Sequence, residues 1–124
     1  MKQDTTNPVD ALERIFHEPN RLSIMSALCA ATKHLSFNEL KQECDLTDGN
    51  LNRHLKVLQD ARAITIHKAF VHDKPRTTVS ISKTGLKRFN QYLTALSQVL
   101  EKARSTLPAK EKTSPLPAGK TIRS

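Results

Sequence analysis

Four side chains suited to hydrogen bonding with planar partners fall within seven residues: Asn50, Asn52, Arg53 and Lys56. An amide can bond two adjacent atoms on the edge of adenine, and a guanidinium two on guanine, so Asn50, Asn52 and Arg53 are the candidates for reading bases. Thr47 and Gly49 stand just before them. A hydroxyl and a glycine at the start of a helix, where N–H groups are unpaired, suit the close approach of a phosphate. Asp48 opposes that charge but complements the helix dipole. A second cluster, Lys74, Arg76 and Thr77, fits phosphate or minor-groove contacts, which position a domain more than they select a sequence.

The elements that must hold these groups are legible from periodicity. Asn7-Pro8 opens a first helix over residues 8–17, with Val9, Leu12, Ile15 and Phe16 at helical spacing. Glu18-Pro19-Asn20 interrupts it, and a mostly buried second helix follows over 19–32. Ser36-Phe37-Asn38-Glu39 has the form of a capping box, which predicts a short third helix over 36–44. Thr47 then caps a fourth helix reaching Ala61, in which Leu51, Leu55 and Leu58 form one apolar stripe. With the leucines inward, Asn50, Asn52, Arg53 and Lys56 lie outward or at the edges. Two short helices a few residues apart, the second with so polar an outer face, form a helix-turn-helix pattern.

Residues 64–70 and 77–81 alternate with period two and predict two strands. The polar, proline-containing stretch 71–76 between them predicts a basic projecting loop, or wing. Ser82 caps a last helix ending near Arg104, with Leu86, Phe89, Leu93, Leu96 and Leu100 at the 3,4 spacing of a coiled-coil seam and Tyr92 and Val99 flanking it. From Ser105 onward, three prolines among Ser, Thr, Lys and Ala predict a disordered basic tail over 105–124.

The 124 residues suffice for one domain, here 1–104, with a real core. No stretch is apolar enough for a membrane helix and no secretory signal is apparent, so an intracellular, cytoplasmic protein is expected. Three glycines and no tryptophan argue against nucleotide cradles and aromatic-lined pockets, and no cofactor is implied. Nucleophile elbows, His-Glu-x-x-His and phosphate loops are not found, so no enzyme is expected. The net charge of +8 is unevenly spread: residues 1–48 hold five bases against eight acids, and residues 49–124 hold fifteen against four. A net +11 in the second part marks it as the part facing a polyanion. Cys29 reads as core; a metal would need more than one thiolate, and a fold that brought Cys44 close to Cys29 would leave a thiol or metal switch as an alternative. His54 is expected to pack inward and donate to a backbone carbonyl, His17 to order the bend before the second helix, and His67 and His72 to lie at the surface.

Four segments in order, His17-Glu18-Pro19-Asn20-Arg21-Leu22-Ser23-Ile24, Phe37-Asn38-Glu39-Leu40-Lys41, Leu46-Thr47-Asp48-Gly49-Asn50-Leu51-Asn52-Arg53-His54-Leu55 and Arg76-Thr77-Thr78, carry a resemblance. Over residues 8–100 the chain resembles the bacterial winged-helix transcriptional regulators of the MarR/ArsR-like group, most closely the small winged-helix DNA-binding domain family. The resemblance implies a mainly α fold with a small β-hairpin, in the order α-α-α-α-β-β-α, with a long C-terminal dimerisation helix. It further implies a homodimer on a pseudo-palindromic operator in double-stranded DNA, with the fourth helix in the major groove; for a small domain without an obvious pocket, occupying a promoter as a simple repressor is the default mechanism. The dimer-forming residues would be Leu12, Phe16, Leu86, Phe89, Leu93, Leu96 and Leu100. Metal-sensing relatives carry paired cysteines beside Asp-Leu, whereas here Cys44-Asp45-Leu46 stands without a second thiol nearby. Where relatives place a glycine after the recognition helix this chain has Arg62, so either the turn differs or a left-handed residue carries a side-chain penalty and gains a phosphate ligand. The alternative of a different class is a winged-helix module for protein contacts, with the seam as its interface.

Overall fold

The computed structural model describes residues 12–31 and 34–107. In chain order the elements are α1 (Pro19–Ala30), β1 (Leu35–Ser36), α2 (Phe37–Cys44), α3 (Asp48–Asp60), β2 (Ile64–Val71), β3 (Lys74–Ile81) and α4 (Lys83–Ser105). The strands form one antiparallel sheet in the order β1-β3-β2, with Ile64 opposite Ile81 and Val71 opposite Lys74. Among the described residues, four helices and a small three-stranded sheet make this a winged helix with a long last helix.

Each helix starts where a side chain accepts from an otherwise unpaired N–H group. Ser36 and Glu39 form the reciprocal capping box, Thr47 Oγ1 accepts from the Asn50 N–H at 3.2 Å, and Ser82 Oγ from the Gly85 N–H at 2.8 Å. Glu18, read from sequence only as part of a break, caps α1 by accepting from the Arg21 N–H at 2.8 Å. Of the two alternatives for the α3 terminus, the structure has the left-handed residue, with Arg62 at φ 64°. The Arg62 N–H donates to the Gln59 carbonyl and the Ala63 N–H to the Leu58 carbonyl, both at 2.9 Å. These are the two bonds of a Schellman turn, made without glycine.

One core unites all the helices and the base of the hairpin. Leu51, Leu55 and Leu58 of α3 are buried with Ile24, Met25, Leu28, Leu40, Ile64, Val79, Phe89 and Tyr92. The leucine stripe therefore points inward, as its spacing requires. Helix α4 meets the turn after α3 at Gly85, where an added Cβ would stand 1.9 Å from the Ala63 carbonyl oxygen. The same carbonyl accepts from the Ser82 N–H, and the Ser82 hydroxyl donates to the Arg62 carbonyl at 2.8 Å.

Several expectations need correction. Residues 12–17 of the first predicted helix form a tight turn with Phe16 and His17 N–H groups donating to the Glu13 carbonyl, and no α-helix. The residue before Pro19 is driven to extended backbone, and Glu18 adopts φ −142° to cap α1, which stops helix continuing through it. Residues 8–11 of that expectation lie outside the described residues. Helix α1 ends at Ala30, and residue 32 of its predicted span is likewise outside. Strand β1 was not expected; two residues are too few for alternation to show. The wing is shorter than the six-residue loop expected, because the strands extend to a two-residue turn, His72–Asp73, at φ 54° and 65°. Pro75 is tolerated within β3 because β1 covers only Thr78 and Val79, leaving the outer edge free at the proline.

Phe16 and Phe89, assigned from sequence to a dimer surface, are fully buried inside the chain, edge-on with centroids 5.3 Å apart. Leu12 and Leu96 are partly buried against the same core. The 3,4 seam divides in two: Phe89 and in part Leu96 face the core, beside Tyr92 and Ala95, while Leu86, Leu93 and Leu100, spaced by seven, remain exposed at 48, 39 and 54%. Cys29, read as core, is exposed, and Cys44 is half-buried; both are free thiols. Residues 108–124 of the predicted tail lie outside the described residues.

Gly85→Ala is expected to destabilise the chain by about 2 kcal/mol, since backbone, not a movable side chain, occupies the space its methyl needs. Urea unfolding checks this; an unchanged midpoint would mean α4 does not press on Ala63.

Candidate nucleic-acid interface

Helix α3 presents Asn50, Asn52, Arg53 and Lys56 to solvent over two turns. The Asn50 side-chain oxygen accepts from Arg53 Nη2 at 2.9 Å, which steadies the guanidinium while leaving most of its five donors free. Lys56 lies 3.4 Å from Asp60, an exposed pair one helical turn apart. Such a pair contributes little and opens readily for a better anion. Gly49 has nothing within 4 Å of where its Cβ would be, so the start of α3 is open to close approach. Thr47 is there too; its hydroxyl oxygen accepts from the Asn50 N–H, which is thereby paired, while its own O–H remains able to donate.

Two concavities flank the hairpin, one joining it to this helix surface and the other to the start of α2. One, of about 510 Å³, brings Asn52, Lys56 and Gln59 of α3 opposite Ile66 and Lys68 of β2 and Thr77 of β3. The other, of about 540 Å³, sets Ser36 and Asn38 at the start of α2 against His72, Lys74 and Arg76 of the wing. The structure thus gathers Asn52, Lys56 and Thr77 in one groove and Lys74, Arg76 and Thr77 in the next, with Asn50 and Arg53 on the open side of α3. Gln59 and Lys68 went unnoticed in the sequence. The alternation Ile64, Ile66, Lys68 held the signal for Lys68, because it carries the lysine onto the face that packs toward α3. Lys41 was also missed: its Nζ lies 2.8 Å from Asp48, linking α2 to the first turn of α3.

Two arginines outside the interface fix the pose of α3. Arg21 Nε donates to the Ile15 carbonyl at 2.7 Å, and its Nη1 donates to His54 Nδ1 at 3.2 Å. His54, 7% exposed, is thus in the core as expected, but it accepts from a guanidinium where a backbone carbonyl partner had been expected. Arg88 donates to the Glu13 carboxylate at 2.7 and 3.2 Å and to the Ala61 carbonyl, at the C-terminal end of α3, at 2.7 Å. Its guanidinium lies over the Phe16 ring, 5.7 Å from the centroid. His17 Nδ1 pairs with the buried Tyr92 hydroxyl at 2.8 Å, joining the bend to α4.

Burial lowers the His54 pKa from its ordinary value; Glu18 opposes the shift, and Arg21 and Arg53 reinforce it. Partial desolvation by neighbouring groups raises the pKa of Cys44 and, although its side chain is exposed, of Cys29, with Glu43 adding to the effect at Cys44, so neither thiol is primed as a thiolate. Among the described residues, no group of three His, Cys, Asp or Glu side chains comes together as a metal site, and no helix is long and apolar enough to cross a membrane.

NMR titration is expected to place the His54 pKa below 6.5. Neutral His54 then contributes stability above the unfolded pKa of about 6.5, and that contribution is lost as pH falls through the lower folded value. Arg21→Ala, which leaves the Ile15 carbonyl and His54 Nδ1 without this donor, is expected to cost about 1–3 kcal/mol in urea unfolding. A normal His54 pKa with unchanged stability would contradict this pairing.

The sequence profile of the winged helix DNA-binding domain family matches residues 20–100. An uncharacterized protein of Methanocaldococcus jannaschii is 31% identical over 86 residues, covering 69% of this chain and 92% of its own. Among solved structures, a transcriptional regulator homologue from Pyrococcus horikoshii is also 31% identical, with a TM-score of 0.68 over 73% of this chain and 89% of that one. A MarR family transcriptional regulator from Silicibacter pomeroyi shares the fold at 14% identity, with a TM-score of 0.55 over 74% of this chain and 60% of that one. Family match and architecture agree: the chain belongs to the winged helix DNA-binding domain family, and its fold is that of the MarR-like regulators.

Proposed function

We propose that this protein binds double-stranded DNA sequence-specifically, as a homodimeric transcriptional regulator. The observation that carries the proposal is the division of α3: three leucines are locked in the core while Asn50, Asn52, Arg53 and Lys56 are exposed on the other side. An α-helix fits the major groove, and amide and guanidinium groups match purine edges there. Lys74, Arg76 and Thr77 on the wing supply phosphate or minor-groove contacts, and the Gly49 opening admits a phosphate at the start of α3. The +11 charge of residues 49–124 supplies the attracting field.

The exposed Leu86, Leu93 and Leu100 suit a twofold mate, with Leu12 and Leu96 at the margin. Two copies so joined would place two α3 helices on a pseudo-palindromic operator. Occupying a promoter is enough to repress it, and repression in the cytoplasm is the mode of action we assign. The activity is binding; no residue is asked to break a bond, and no cofactor takes part.

Selection of duplexes from a random DNA pool, followed by binding titrations, tests this. Arg53→Ala is expected to weaken binding to the selected duplex by about 1–3 kcal/mol and to relax one base preference, whereas Lys74→Ala weakens all sequences alike. An unchanged footprint and affinity for Arg53→Ala would remove that arginine from the readout. For the dimer, Leu93→Asp is expected to give monomers in analytical ultracentrifugation and to lower DNA affinity; an unsubstituted chain that sediments as a monomer would contradict the assembly.

A further inference from the structure

Phe70 is the most exposed large apolar side chain among the described residues, at 76%. Strand alternation puts Ile64, Ile66, Lys68 and Phe70 on one face of the hairpin, opposite Ile81, Val79, Thr77 and Pro75 across the ladder. Along this row the surroundings change in steps. Ile64 and Val79 are core; Ile66, Lys68 and Thr77 line the groove against Asn52, Lys56 and Gln59 of α3. Phe70 then continues the same row beyond the groove, with Pro75 opposite it. Lys68 stands two residues before it on its own face, and Lys56 lines the far side of the groove. An aromatic ring at the end of a cation-lined groove complements a polyanion that also has apolar faces. A nucleic-acid strand is such a polymer, since apolar sugar faces alternate with its phosphates. A lipid surface is a poorer match, because a flat bilayer cannot enter a groove whose walls carry Asn52 and Gln59.

We infer that Phe70 packs on deoxyribose of the DNA strand whose phosphates lie in the groove between α3 and the wing. The inference rests on the DNA-binding proposal and adds an apolar contact residue to it. Lys68 and Lys56 neutralise phosphates along the groove, and Phe70 closes over the sugar beyond them at the wall of the minor groove. Apolar side chains used against DNA in this way act by burying surface rather than by charge.

The two kinds of contact separate in a salt series with the full chain and a duplex selected from a random pool. Phe70→Ala is expected to weaken binding roughly 10- to 100-fold, the loss from uncovering a buried phenyl group, with the slope of log affinity against log salt unchanged. Lys68→Ala is expected to reduce that slope by about one, because it removes a phosphate contact. Phe70→Leu should retain most of the affinity. Since Phe70 is exposed, the melting curve of Phe70→Ala should match that of the unsubstituted chain, which separates a lost contact from a lost fold. Unchanged duplex affinity for Phe70→Ala overturns the inference while leaving the DNA-binding proposal intact. So does a loss accompanied by the same fall in slope as Lys68→Ala, or a change confined to self-association. If the unsubstituted chain binds no duplex at any salt concentration, the DNA-binding proposal itself falls, and this inference with it.

Discussion

Burial of Leu51, Leu55 and Leu58 is the constraint on which the rest of the molecule depends. Each buried leucine is worth about 1.5–3 kcal/mol, so rotating α3 far enough to expose all three would cost roughly 5–9 kcal/mol. That is comparable with the whole stability of a domain this size, about 5–15 kcal/mol. The rotation of α3 about its own axis is therefore set by hydrophobic burial, and its polar residues inherit their direction from it. Asn50, Asn52, Arg53 and Lys56 point outward because the leucines between them cannot.

The remaining freedom of α3 is removed at its two sides and its end. Arg21 connects α1, the preceding turn and His54, so the helix is held by a hydrogen bond from a charged donor. Arg88 connects α4, Glu13 and the Ala61 carbonyl, and Gly85 lets α4 approach the Ala63 carbonyl two residues further on. The turn between them stores a local cost in Arg62, held left-handed so that the chain can reverse within three residues and enter β2. Rigidity at this turn also sets where the hairpin leaves the core, and hence the spacing between α3 and the wing.

Much of this was legible from sequence because it follows from short-range rules. The caps at Ser36, Thr47 and Ser82, the inward stripe of α3 and the two long strands all depend on residues within a turn or two of each other. What was not legible depends on contacts distant along the chain. Glu13 to Arg88 and His17 to Tyr92 each span 75 residues, and Arg21 to His54 spans 33. Phe16 and Phe89 read as parts of amphipathic surfaces because spacing alone does not say whether a helix meets its own core or a neighbour. The same ambiguity hid the division of α4 into a core-facing row and the exposed Leu86, Leu93 and Leu100. Strand β1 and the His72–Asp73 turn were missed for a different reason: one is too short for a period, and the other takes left-handed geometry without glycine or asparagine. At the interface, the candidates on α3 and the wing were identified by residue type, but Lys41, Gln59 and Lys68 emerge only once helix and hairpin are side by side.

Positioning and chemistry are divided between the two surfaces of α3, so the central claim concerns where a duplex touches the chain. Backbone amide chemical shifts followed while a selected duplex is added to the full chain test it most directly. The account predicts the largest changes in the first two turns of α3, around Asn50 to Lys56, and in the wing from Lys68 to Thr77, with the middle of α4 little affected. Changes concentrated on α4, with α3 and the wing unmoved, would contradict it.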